Sequence, residues 1–276
     1  MEIRFASSPK ETAGMGTQEL RDNFLIQGLF NTDEVKLVYS HFDRVITGGV
    51  KPVNTEVALP NHPELRAEYF LERRELGIIN VGGDGVVIAD GISYELQKMD
   101  ALYLGKGTKE VRFTSSSKDN PALFYLLSAP AHQTYSNGVC TKENASPVEL
   151  GAAETSNKRT VYKYIHLEGL RSCQLVMGLT VLAPGSVWNS VPPHTHTRRM
   201  EVYFYFDLPE DQRIMHFMGQ PQETRHLVMA NHEAVISAPW SMHFGCGTTN
   251  YGFIWGMAGE NLVYTDMDPA PISTVR

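Results

Sequence analysis

Residues 185–206 read GSVWNSVPPHTHTRRMEVYFYF, and they settle both the fold class and the candidate chemistry. On an extended strand, residues two apart share a face, so His194 and His196 present two imidazoles to one point. Glu201 lies five residues beyond His196, an odd step that would turn it away if the strand ran on unbroken. A turn over residues 197–200 reverses the chain and starts Glu201 on a second strand facing the same interior. The alternation that follows agrees: Glu201, Tyr203 and Tyr205 share one face, and Val202, Phe204 and Phe206 the other. A fourth ligand is available in Pro239-Trp-Ser-Met-His243, where proline sets a turn just before a strand. Three neutral imidazoles and one carboxylate suit a divalent transition metal, with one or two positions left for water or substrate.

The same β character extends outward. Short apolar runs broken by Gly, Pro, Asn and Asp recur at 77–81, 86–88, 101–104, 123–127, 175–182, 202–206, 234–237 and 252–257, the pattern of an all-β sandwich or barrel. Helical spacing is confined to the N-terminal part, at 17–30 and at 32–42, where Thr32-Asp33-Glu34 reads as a cap. Gly82-Gly83-Asp84-Gly85 reads as a hairpin turn, because no helix and no Gly-Lys-Ser/Thr follows it. A polar stretch over 137–158 is either a connection between two halves or a long surface loop. An internal echo supports two halves. Residues 73–79 match 198–204, and 100–110 match 233–243, which puts Tyr69 and Leu71 at the His-x-His positions and Glu110 at that of His243. The expected division is 1–136, a barrel without metal; 137–158, the connection; and 159–276, the metal-binding barrel.

Composition narrows the function. The 276 residues are 42% hydrophobic and 20% charged, so a sizeable core is available. A net charge of −7 argues against DNA or RNA as the main partner, since phosphate contacts need a basic footprint. No apolar run reaches the ~18 residues that span a bilayer. The opening MEIRFASSPK lacks the apolar core of a secretory signal, so a cytoplasmic location is expected. Three widely spaced cysteines do not make a disulfide framework.

The His-x-His, Glu and Pro-x-x-x-His arrangement resembles the two motifs of the cupin superfamily. More narrowly, PPHTHTRRMEVYFYF, NYGFIWGMAGEN and the opening EIRFASSPKETAGMGTQELRDNFLI resemble the bacterial 5-keto-4-deoxyuronate isomerase family, along nearly the whole chain. The resemblance implies a mainly β fold of two cupin-like barrels with short N-terminal helices, and a hexamer. It also implies one Zn²⁺ per chain on His194, His196, Glu201 and His243. The implied activity is an aldose–ketose isomerisation through a metal-stabilised enediolate. It converts 5-dehydro-4-deoxy-D-glucuronate to 3-deoxy-D-glycero-2,5-hexodiulosonate in pectin degradation. A uronate carboxylate wants a guanidinium or an ammonium, and Arg199, Arg171 and Lys163 are the choices. Tyr203 and Tyr205 are the choices for proton transfer, with barrel-core packing as the alternative for each. Trp240 and Trp255 are possible pocket floors. His216 and His226 keep a chance of reaching the site, while His41, His62, His132, His166 and His232 read as surface or core. Two other readings stand beside the isomerase: an iron dioxygenase on the same ligand set, and a non-catalytic uronate-binding barrel.

Overall fold

The computed structural model describes residues 1–276. Two seven-stranded sheets form its centre. The first runs, in spatial order, Glu2–Arg4, Val35–Ser40, Ile46–Val50, Phe124–Pro130, Arg74–Asn80, Ala101–Leu104 and Gly138–Cys140. The second runs Val148–Leu150, Arg159–Ile165, Val176–Leu182, Gly252–Gly259, Arg199–Phe206, Ala234–Ser237 and Leu25–Ile26. A four-stranded sheet (Val57–Ala58, Val111–Ser115, Gly85–Ala89, Ile92–Leu96) closes the first over Ile78, Val87, Leu102, Phe113 and Leu126. A three-stranded sheet (Glu223–Met229, Ile214–Gln220, Phe244–Gly247) closes the second over Tyr205, Met218, Leu227 and Phe253. Every apolar run singled out in the sequence lies within or overlaps a strand.

The two halves share a register. Leu76 pairs with Leu104 as Glu201 pairs with Ser237, and Arg74 pairs with Pro130 as Arg199 pairs with Gly259. Those pairs coincide with the sequence echo of 73–79 with 198–204 and of 100–104 with 233–237. Where the second half places Glu201, the first places Leu76 in an apolar core that also holds Leu71, and Glu110 is exposed.

The large sheets pack back to back. Tyr125 stacks on Phe204 at 4.6 Å between ring centres. Gly77 lies so close to the other sheet that a Cβ there would meet Met177 Sδ at 2.6 Å and Ile165 Cδ1 at 2.8 Å. Glu75, fully buried, accepts from the backbone N–H groups of Cys173, Gln174 and Leu175 at 2.7, 2.8 and 2.8 Å and from the Tyr103 hydroxyl at 2.7 Å. A buried carboxylate needs such donors, and here they tie one half to the other.

Chain order and spatial order part company at two places. Residues 137–158 supply Gly138–Cys140 to the first sheet and Val148–Leu150 to the second. Near the N-terminus, Leu25–Ile26 edges the second sheet; the helix Thr17–Phe24 lies against that edge and Glu223–Met229, and the helix Pro9–Ala13 against Ile214–Gln220 of the three-stranded sheet. The helical expectation over 17–30 therefore holds only to Phe24. The one over 32–42 fails: Val35–Ser40 is a strand between Ile46–Val50 and the parallel edge Glu2–Arg4. Its Val35 and Val38 favour a pleated surface. The Asp33 carboxylate caps Val53 N and Asn54 N at 2.7 and 2.9 Å instead of a helix. Gly82–Gly85 is a turn, but it passes from one sheet to the other and does not close a hairpin.

Candidate metal centre

The turn expected after His196 is present. His194–Thr195 pairs with Asp268–Pro269, residues 197–198 turn, and Arg199–Phe206 returns through the middle of the second sheet. Asp43, reaching over from the first half, accepts from Met200 N at 2.7 Å and fixes the start of the strand that carries Glu201. His243 follows a tight turn whose Ser241 hydroxyl accepts from Gly219 N at 2.8 Å.

These elements bring His194, His196, Glu201 and His243 together, with one ligand atom from each within 4.8 Å of all the others. Glu201 Oε2 lies 2.9 Å from His196 Nε2 and 2.7 Å from His243 Nε2, and His243 Nε2 lies 3.2 Å from His194 Nε2. The other ring nitrogens are anchored: His196 Nδ1 to Arg199 O at 2.8 Å and His243 Nδ1 to Ser241 O at 3.2 Å. A carbonyl only accepts, so both rings carry their proton on Nδ1 and turn bare Nε2 lone pairs inward. Lone pairs facing a carboxylate in a buried place repel unless a cation lies between them, and anchoring through the outer nitrogen is how metal-binding histidines are held. The donor set fits a divalent transition metal.

Without a cation, the electrostatics of the ligand group divide. Burial, then His243, pushes His194 down to about 3, so it is neutral at pH 7. For His196, burial pulls down, but the Glu201 carboxylate outweighs it and the net direction is up. Burial pushes Glu201 up, yet His243 and His196 hold it well below the ordinary carboxylate range.

A cavity of about 250 Å³ opens on His194 and Glu201. Strand alternation builds its walls: Tyr203 continues from Glu201, Trp255 and Met257 come from Gly252–Gly259, and Arg159 and Val161 from Arg159–Ile165. Trp255 donates to Thr180 Oγ1 at 3.1 Å, and its ring lies against Gly178, where any side chain would collide with it.

Among the sequence-predicted substrate and catalytic groups, only Tyr203 lines this cavity. Its hydroxyl meets Ser190 Oγ at 2.7 Å, and its ring centre lies 5.3 Å from that of His243. Tyr205 is core: fully buried one alternation further on, with its hydroxyl 2.7 Å from His216 Nδ1. Arg199 is not a free fork. Its Nη1 and Nη2 donate to Val263 O and Asp266 O at 2.8 and 2.9 Å, so it holds the C-terminal lap that brings Tyr264 and Met267 to the cavity. Arg171 is exposed and away from the cavity. Lys163 lies over the Tyr264 ring at 5.4 Å and does not line the cavity. Trp255 is a wall, whereas Trp240 packs edge-on against Phe24. His216 is buried beside Tyr203, and His226 is exposed.

The group that sequence reasoning missed is Arg159, the one guanidinium on the cavity wall. It forms no ion pair, and Nη1 donates to Asn157 O at 2.9 Å. The signal was available: Arg159 is two alternations before Lys163 on one strand.

Comparison with known proteins agrees with this geometry. The chain is 54% identical over 276 residues to the 4-deoxy-L-threo-5-hexosulose-uronate ketol-isomerase of Lachnoclostridium phytofermentans, all of both chains being covered. It is 52% identical over 278 residues to the enzyme of the same name from Yersinia pseudotuberculosis serotype O:1b, again with full coverage of both. The fold is that of an IolB-like protein from Salmonella typhimurium LT2 (TM-score 0.71, 16% identity, 88% of this chain and 95% of that one). It is also that of Bacillus subtilis oxalate decarboxylase, a cupin-like protein (TM-score 0.55, 10% identity, 81% of this chain and 71% of that one). The model of the KduI/IolB family matches residues 25–272, and the chain belongs to that family.

Proposed function

We propose that this chain is a metal-dependent ketol-isomerase that converts 5-dehydro-4-deoxy-D-glucuronate to 3-deoxy-D-glycero-2,5-hexodiulosonate in the breakdown of pectin-derived uronates. The observation that carries the reading is the set of inward, carbonyl-anchored imidazoles around Glu201, on a cavity large enough for a monosaccharide acid. The full-length relatives named for this activity support it. A divalent cation held by His194, His196, Glu201 and His243, zinc in our reading, supplies a Lewis acid for the charge that builds as the C2 proton leaves.

The chain's own groups do the rest. Arg159 takes the substrate carboxylate, since it is the cation on the cavity wall without a carboxylate of its own. Tyr203, oriented by Ser190, is the hydroxyl placed to hold or pass a proton beside the reacting carbons. Trp255 and Tyr264 form apolar walls that keep water from the developing charge. The test is NMR of the unsaturated monouronate with purified, metal-replete protein. The reading expects the ketose product to grow without oxygen uptake. Binding without turnover, or turnover that consumes oxygen, would refute it.

A further inference from the structure

The first half of the chain buries a cation that forms no ion pair, the neighbouring Glu75 carboxylate being turned to the backbone of residues 173–175. Arg74 is only 6% exposed, and arginine is rarely so buried unless paired. Its Nε donates to Ser128 Oγ at 3.0 Å, and its Nη2 donates to Arg44 O at 2.6 Å and Ser128 O at 2.9 Å. Those partners are neutral, Nη1 has no protein acceptor, and no carboxylate comes within 4 Å of the guanidinium. The charge persists at neutral pH, because burial lowers the group only to about 10.

Arg74 lines a cavity of about 170 Å³ together with Arg44, Arg73, Tyr39, Phe70 and Glu64. The Arg44 side chain is exposed and makes no hydrogen bond or ion pair. Arg73 spends one Nη on the carbonyls of Leu65 and Arg66 and pairs only at 3.9 Å with Glu72. Three guanidinium groups therefore converge on one hollow against a single carboxylate, Glu64. The counterpart of Arg74 by strand register, Arg199, has both Nη atoms satisfied by the C-terminal lap. The first half has no such lap over Arg74.

We propose that this hollow is an oxyanion-binding site, separate from the metal centre, that takes a carboxylate or phosphate group on the free Nη1 of Arg74 with Arg44 and Arg73 at its rim. An oxyanion supplies what the buried guanidinium lacks, a charged acceptor for Nη1. Tyr39, whose ring lies 6.0 Å from the Arg74 guanidinium carbon, and Phe70 provide an apolar side for the body of a small organic acid. The anion has two possible sources, a free small molecule or a carboxylate of a second copy of the chain, and we assign the free one.

The test is calorimetric titration of the full-length protein with inorganic phosphate and, separately, with a small monocarboxylate. The titration is run in the Arg159→Ala/His243→Ala background, so that neither the metal centre nor the guanidinium beside it contributes. Saturable binding is expected. Arg44→Ala, which removes a side chain with no structural partner, should weaken it about tenfold, the loss expected for one charge-assisted hydrogen bond. Glu64→Gln, which removes the opposing charge, should strengthen it, and Arg74→Met should abolish it. If Arg74→Met does not fold, the opposite signs of Arg44→Ala and Glu64→Gln decide the matter. Absence of binding, or equal binding in the background protein, Arg44→Ala and Glu64→Gln, overturns the proposal. So does absence of binding together with a fall in sedimentation mass in Arg44→Ala, the signature of an anion contributed by a second copy.

Discussion

At the scale of single residues, the four convergent side chains were legible because strand geometry is strict. A two-residue step, a turn and an inward glutamate leave few arrangements, and His194, His196, Glu201 and His243 converge as that logic requires. Which basic group faces the cavity was not legible, because whether Arg199, Lys163 or Arg159 has free donors depends on partners distant in sequence. Arg199 is consumed by carbonyls more than sixty residues away, at Val263 and Asp266. Steady-state kinetics check the reassignment: Arg159→Ala should lower kcat/KM by about 10–100-fold, chiefly through KM, as expected for one lost charge-assisted contact, while Arg171→Ala leaves both parameters unchanged. The buried histidines give a second test. Burial, then His243, pushes His216 down to about 3 from an ordinary 6.5, and His194 is lowered to a similar value. A lowered folded-state pKa contributes stability above 6.5 that is lost as pH falls below it, because the unfolded chain then binds protons that the folded chain refuses. His196, shifted upward, opposes but does not cancel two such groups. The urea midpoint of metal-free protein should therefore drop from pH 7 to pH 5, by up to about 1.4 kcal/mol per pH unit for each lowered histidine. Equal midpoints would contradict this.

At the scale of elements, strands were easier to read than helices. The runs at 101–104 and 234–237 are strands over just those residues, since apolar clusters between turn residues have little else to do in a chain with so few helical stretches. Val35–Ser40 was misread because its apolar spacing also fits a short helix, and its fate depends on pairing with Ile46–Val50. The C-terminal lap is the element that matters most to the cavity. Arg198 binds the carboxylate of Asp266 through Nε at 2.8 and 2.9 Å, Arg199 binds the backbone of the same lap, and Asp268–Pro269 pairs with His194–Thr195. One short stretch, residues 194–201, thus carries His194, His196, the lap clamp and Glu201. Replacing Arg199 by Met leaves two lap carbonyls without their donor and should cost roughly 3 kcal/mol of stability. Limited proteolysis should then cut near 263–266 faster than in wild type, with KM raised more than the metal affinity is lowered. Unchanged cleavage there would show that the lap holds without Arg199.

At the scale of the whole molecule, the repeat in sequence marked equivalent strands, but not the crossings that knit the halves. Leu25–Ile26 on the second sheet and Gly138–Cys140 on the first are too short to carry a pattern, and their places follow from which sheet edge is open. The halves are further joined where no motif announces it, through Asp43 on Met200 N and Glu75 on residues 173–175. Glu75→Ala leaves four donors unpaired, two of them buried, and should lower stability by roughly 3–5 kcal/mol, read as a shift in the denaturation midpoint; a shift near zero would show that the halves are held by apolar packing alone. The central claim is that one divalent cation among four side chains makes the cavity a catalyst. Its most direct measurement is metal content and isomerase turnover on the same samples: as purified, after chelation, after re-addition of zinc, and in His243→Ala. The account predicts one equivalent of metal per chain, loss of turnover on chelation, recovery with zinc, and neither metal nor turnover in His243→Ala. Full turnover by protein stripped of metal would contradict it.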